Sequence, residues 1–185
     1  MSQDKIFSEL NSAVSHAIEA LGRDFAGLRT GRAHPSLVDN LKIEAYGQQM
    51  PLKSMATVTV QDARTIGISP FDPSQGAAIE KGILTSDLGI TPTNDGKLIR
   101  ITLPELTQDR RKELSKLAKQ MTENAKVSIR HARQKANDTL KAMEKNKEIS
   151  QDDSKKAAGR VQGIVDDATK KVDLALKNKE TEILG

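Results

Sequence analysis

Between Thr107 and Lys147 the chain contains no glycine and no proline, and its apolar residues recur at helical spacing. Leu114, Leu117, Met121, Ala125, Ala132, Ala136, Leu140 and Met143 fall on one stripe. The pattern predicts a helix of about 40 residues, which is roughly 60 Å of rise. A helix of that length cannot bury its stripe against itself. It demands partner helices, as in a coiled-coil-like bundle.

The chain supplies two partners. Residues 4–29 carry Phe7, Leu10, Val14, Ala17, Leu21, Phe25 and Leu28 in steps of three and four, with Ser2 or Asp4 as candidate N-cap. Beyond Ile149, Ser150 followed by Asp153 resembles a capping box with Asp in place of Glu. It opens a third stripe of Ala157, Val161, Ile164, Ala168, Val172, Ala175 and Ile183, which Gly159 and Gly163 weaken locally.

Residues 31–105 follow a different rule. Gly31 and Pro35 oppose continuation of the first helix. Residues 41–46, 56–60, 65–69 and 98–103 then alternate or are β-branched, which predicts short strands. Residues 75–88 carry Ala78, Ile79, Ile83 and Leu84 at helical spacing, with Gly89 as a candidate C-cap. Pro104 closes the segment, and Thr107 is a candidate N-cap for the long helix. The expected fold class is therefore α+β. Residues 1–30 and 106–185 form an elongated three-helix bundle, and residues 31–105 form a small inserted domain. Its two connections, near 30–32 and 104–106, must lie close together at one end of the bundle, so the molecule should be elongated and bent. Thr30, Gly31, Arg32 and Pro104 are the candidate hinge; a rigid corner is the alternative.

Composition narrows the chemistry. The 185 residues include no Cys, which excludes a disulfide scaffold, a thiolate zinc site and a cysteine nucleophile. Trp is absent, and Phe7, Phe25, Tyr46 and Phe71 are the only aromatics, too few for a base-stacking platform. No apolar run approaches a membrane span, and no apolar h-region follows the start, so a cytoplasmic protein with no membrane partner is expected. Three stripes can satisfy one another, which makes a monomer the simpler expectation. The net charge of +4 is unevenly spread. Residues 106–147 hold 12 basic and 5 acidic residues, while every other segment is slightly acidic. A polyanionic partner should meet the long helix.

On a helical wheel with Met121 at the origin, Lys112, Lys119, Lys126, Arg130, Arg133 and Lys141 share a face roughly opposite the expected buried one. Arg130 and Arg133 are i, i+3 neighbours, and like charges so close cost stability unless an anion offsets them. The Arg fork suits phosphate, which points to structured nucleic acid read by shape and backbone. Arg110 joins the candidate set at the start of the helix. A solvated helix face is the plainer alternative. An enzyme is not supported. His16, His34 and His131 have no partner at metal-ligand spacing, and there is neither a Gly-rich phosphate loop nor a nucleophile elbow. Asp152-Asp153 suits a helix N-terminus, and Asp166-Asp167 reads as a solvated face. No catalytic residue, metal site or cofactor is expected.

The run Arg29-Thr30-Gly31-Arg32-Ala33-x-Pro35 resembles the signature of the bacterial ribosome recycling factors. Further runs match in order: Tyr46-Gly47 with Pro51-Leu52, residues 56–60, Ser86-Asp87-Leu88-Gly89, Leu103-Pro104-x-Leu106-Thr107, Arg110-Arg111-Lys112, Ala136-Asn137-Asp138, and Lys147-Glu148-Ile149-Ser150-x-Asp152-Asp153. The resemblance implies an L-shaped protein with a three-helix bundle and a hinged, inserted β/α/β domain. It implies action after termination, together with elongation factor G and GTP, to split the ribosome into subunits and free mRNA and tRNA. The bundle would lie along rRNA of the large subunit, and the inserted domain would face elongation factor G, which is the GTPase. The family's RNA-binding arginines correspond here to Arg29, Arg130 and Arg133, beside Lys126 and Lys119 of the basic stripe. His34 stands where many relatives have Ser, and Gln134-Lys135 departs from a more common Arg-Asp-like pair. Two other readings remain open on the residues alone: a helical RNA chaperone without a GTPase partner, and a protein-binding adaptor whose cations are a solvated face.

Overall fold

The long helices form where the apolar periodicity demands them, and each has a legible start. In the computed structural model, which describes residues 2–185, helix α1 spans Gln3–Gly27. The Ser2 hydroxyl accepts the Lys5 N–H and Asp4 lies in the first turn, so the cap and the helix dipole are both served. The helix stops at Gly27, with Leu28 already extended, so Arg29 lies beyond its end rather than within it. Helix α3 spans Gln108–Lys145 and α4 spans Gln151–Leu184. Ser150 caps α4 by accepting the Asp153 N–H at 3.0 Å. Asp153 completes the motif by accepting the Ser150 hydroxyl rather than its backbone N–H. Gly159 and Gly163 interrupt nothing: α4 runs through both.

These helices pack pairwise, α1 on α3, α3 on α4 and α1 on α4. Ile6, Phe7, Leu10, Val14, Ala17, Leu21 and Phe25 of α1 face Leu114, Ala118, Thr122, Ala125, Ile129, Ala136, Leu140 and Met143 of α3, with Ala157, Val161, Val165, Ala168, Val172 and Ile183 of α4. The buried face of α3 departs from the expected stripe. Leu117 is exposed and Met121 and Ala132 are only half-buried, while Ala118, Thr122 and Ile129 are fully buried. The true seam is rotated by about 60° from a wheel centred on Met121. Thr122 is tolerated there because its hydroxyl donates to the Ala118 carbonyl one turn back. On α4, Val165 is buried where Ile164 was expected. At the ends of the pair, Arg111 reaches from the first turn of α3 to the Leu184 carbonyl at 3.1 Å, which satisfies an acceptor at the α4 terminus.

The second unit, Gly31–Thr107, is continuous in sequence, and the first comprises the chain up to Thr30 with Gln108–Gly185. In the second unit, strands β1 (Lys42–Ala45) and β2 (Gln48–Pro51) form a hairpin. Strands β3 (Ala56–Val60), β4 (Thr65–Pro70), β5 (Thr93–Asn94) and β6 (Ile99–Thr102) form an antiparallel sheet in the order β3-β4-β6-β5. Helix α2 (Gly76–Leu84) packs on β1, closely enough that a side chain at Gly82 would collide with Ile43. Ile43, Leu52, Ile66, Ile68, Ile79, Ile83, Ile99 and Ile101 fill this core. Two expectations are corrected here. The inserted helix ends at Leu84, with the Thr85 hydroxyl donating to the Lys81 carbonyl, and Gly89 lies in the following loop instead of capping it. Strands β2 and β5 carry no β-branched alternation and were not expected. The architecture is the α+β class read from the pattern.

Candidate nucleic-acid interface

Each candidate side chain owes its setting to the true seam of α3. Because the seam is rotated, the cations do not stand opposite it. Lys126 and Arg133 flank the buried face and are half-buried, whereas Arg110, Lys119 and Arg130 are exposed. Most of these cations already hold a carboxylate. Lys126 Nζ meets Asp173 of α4 at 2.6 Å, and Lys119 Nζ meets Glu180 of α4 at 3.6 Å. Arg130 binds Glu123, two turns earlier on its own helix, and Arg110 binds Glu113 at 3.0 Å. So the cost expected for adjacent cations is offset within the fold. Arg133 and Arg29 make no ion pair among the described residues.

The Glu123 carboxyl is held below its usual range, first by the hydrogen bond from Arg130, then by the Arg130 charge, with a lesser pull from Lys126. It is therefore ionised at neutral pH, as the contact with Arg130 requires. Reasoning along one helix missed Asp173 and Glu180, which lie on α4, and Glu123, seven residues before Arg130 on α3 itself, was not singled out either. A signal was available, since Lys119 and Lys126 repeat after seven residues, as do Asp173 and Glu180.

Arg29 stands apart from the α3 arginines. Helices α1 and α3 pack together on either side of one inserted unit and so run antiparallel, and the Glu9–Lys135 ion pair, 3.7 Å, marks one point of their register. In that register Arg29 falls level with the first turns of α3, roughly 20 Å along the bundle from Arg130. The structure thus brings Lys126, Arg130 and Arg133 together and leaves Arg29 at one end. At the candidate hinge, Gly31 has φ +72, a conformation that other residues rarely adopt. A side chain there would press on Leu106 at 3.1 Å, so the two connecting segments run side by side. Arg32 and Pro104 are exposed and Thr30 is half-buried.

Among the described residues, no group of three or more His, Cys, Asp or Glu could hold a metal ion, and no helix is long and apolar enough to cross a membrane. A long bundle bearing a cation row, with a separate β-containing unit inserted after its first helix, can bind a phosphate backbone and present a second surface.

Residues 21–184 match the ribosome recycling factor family. The chain belongs to that family. It is 48% identical to the ribosome-recycling factor of Oleidesulfovibrio alaskensis over 98% of both chains, and 48% identical to that of Carboxydothermus hydrogenoformans over the whole of both. Identity to the factor of Bacillus licheniformis is 45% over 97% of both chains. A solution structure of a ribosome recycling factor matches with a TM-score of 0.73 at 36% identity, covering 100% of this chain and 98% of that one. A second match, with a TM-score of 0.66 and 41% identity over 100% of both chains, comes from models of the T. thermophilus recycling factor and E. coli elongation factor G bound to the E. coli post-termination complex. The family resemblance read from the junction and its ordered runs is thereby shown. Ribosome recycling factors are translation factors and not enzymes, in agreement with the expectation from the residues.

Proposed function

We propose that this chain recycles ribosomes in the cytoplasm after termination, acting on the large subunit and its rRNA together with elongation factor G, which spends the GTP. The observation that carries this reading is the match over the full chain to a recycling factor bound with elongation factor G on a post-termination complex. The bundle supplies affinity. Arg133 and Arg29, free of carboxylates, are the first donors to phosphate, and Arg130, Lys126, Lys119 and Arg110 follow as their pairs open. The inserted unit takes the push of elongation factor G, and the paired segments at Thr30, Gly31 and Arg32 and at Pro104 act as the hinge that passes it to the bundle. Because the hinge is built of two strands of chain, it can bend while resisting separation of the units.

Pelleting with isolated large subunits, with small subunits as comparison, tests the reading. The wild type should sediment with large subunits, and the Arg130→Ala/Arg133→Ala variant should lose at least tenfold in affinity. A folded wild type that fails to bind would sink the reading.

A further inference from the structure

Lys119, Lys126 and Arg133 recur every seven residues on α3. The spacing puts them about 10.5 Å apart along one edge of the helix. Asp166, Asp173 and Glu180 recur at the same interval on α4. The helices are antiparallel, so the two rows form a ladder. Two rungs are closed, Lys126–Asp173 at 2.6 Å and Lys119–Glu180 at 3.6 Å. The third is open, because the Asp166 carboxylate accepts the Gln162 side-chain amide at 2.8 Å instead. Arg130, beside the open rung, is closed by Glu123.

These pairs make poor stabilisers. Most of their side chains are at least one-third exposed, and exposed ion pairs contribute little to folding. Their effect on a polyanion is larger. Each carboxylate occupies the cation that a phosphate needs and repels that phosphate as well.

We propose that Glu123, Asp173 and Glu180 set the affinity of the cation row for RNA by masking it, so that Arg133 engages first and the masked cations engage only where RNA presents several phosphates along the row. The inference rests on the reading that this row meets ribosomal RNA. It makes the carboxylates specificity-determining residues: they suppress binding to stray polyanions and speed release from the proper one.

Asp173→Asn and Glu123→Gln remove the mask and leave similar side-chain shape. Each should bind isolated large subunits about threefold to tenfold more tightly at low salt and dissociate correspondingly more slowly. Each should also steepen the salt dependence of log K by up to about 0.9 per unmasked cation. Asp167→Asn makes the same change of net charge on α4 away from the ladder, and should leave both quantities within twofold. Equal tightening by Asp167→Asn, or a fall in melting temperature with unchanged dissociation rate, would overturn the inference while wild-type binding upholds the reading. Failure of the wild type to bind would overturn both.

Discussion

Arg130 and Glu123 stand two helical turns apart on α3, and their contact can be tested without any partner. Arg130 lowers the pKa of Glu123 by hydrogen bond and charge. A carboxyl depressed in the folded state contributes stability above its unfolded value, near 4.3, and loses that contribution as the pH falls through the folded value. Both side chains are exposed, so the global effect is small. The local effect is readable. In an NMR titration, Arg130→Ala should move the Glu123 midpoint upward toward the ordinary carboxylate range. An unmoved midpoint would mean that the pair is not populated in solution.

At the scale of elements, the turn between α3 and α4 departs from the usual chemistry. Glu148 N–H bonds the Met143 carbonyl and Lys147 N–H bonds the Glu144 carbonyl, which is a Schellman ending. Its left-handed position is Lys147, with φ +62, where glycine is the favoured residue. Lys147→Gly should therefore stabilise the bundle by about 1 kcal/mol, seen as a higher denaturation midpoint with unchanged slope. A lower midpoint would mean that the lysine side chain contributes a contact of its own. This ending was hidden in the sequence, because no glycine marks it. The three helices were legible because a period of 3.6 persists through more than twenty residues in each. Their facing was less so. A wheel anchored on Met121 overlooked Ile129, and an error of about 60° moves Lys126 from open solvent to the edge of the seam. Short elements such as Gln48–Pro51 offer too few residues for any period to register, and form because Ala45 and Gln48 pair across a two-residue turn. The candidate cations were visible along one helix. Their carboxylate partners on α4 became visible only once the register between helices was known.

For the whole molecule, the proposed function assigns binding to the bundle and work to the inserted unit, and the junction between the two compact units tests it. Gly31→Pro forces φ near −65° where the backbone holds +72. It should leave large-subunit binding within about threefold and reduce splitting of post-termination ribosomes, measured by light scattering with elongation factor G and GTP, by at least tenfold. Splitting at the wild-type rate would argue that the corner is rigid and the hinge lies elsewhere. The same junction bears on how the chain acquires its structure. Contact between α1 and α3 requires the chain to close across residues 31–107, a loop of unfolded polymer if nothing intervenes. Once that segment has folded, Gly31 already lies beside Leu106, and the loop shrinks to a few effective residues. Removing about four doublings of loop length lowers the entropic cost of closure by about 2.4 kcal/mol. An insert that folds first therefore acts as a clasp, and gives the chain a head start in assembling the outer module.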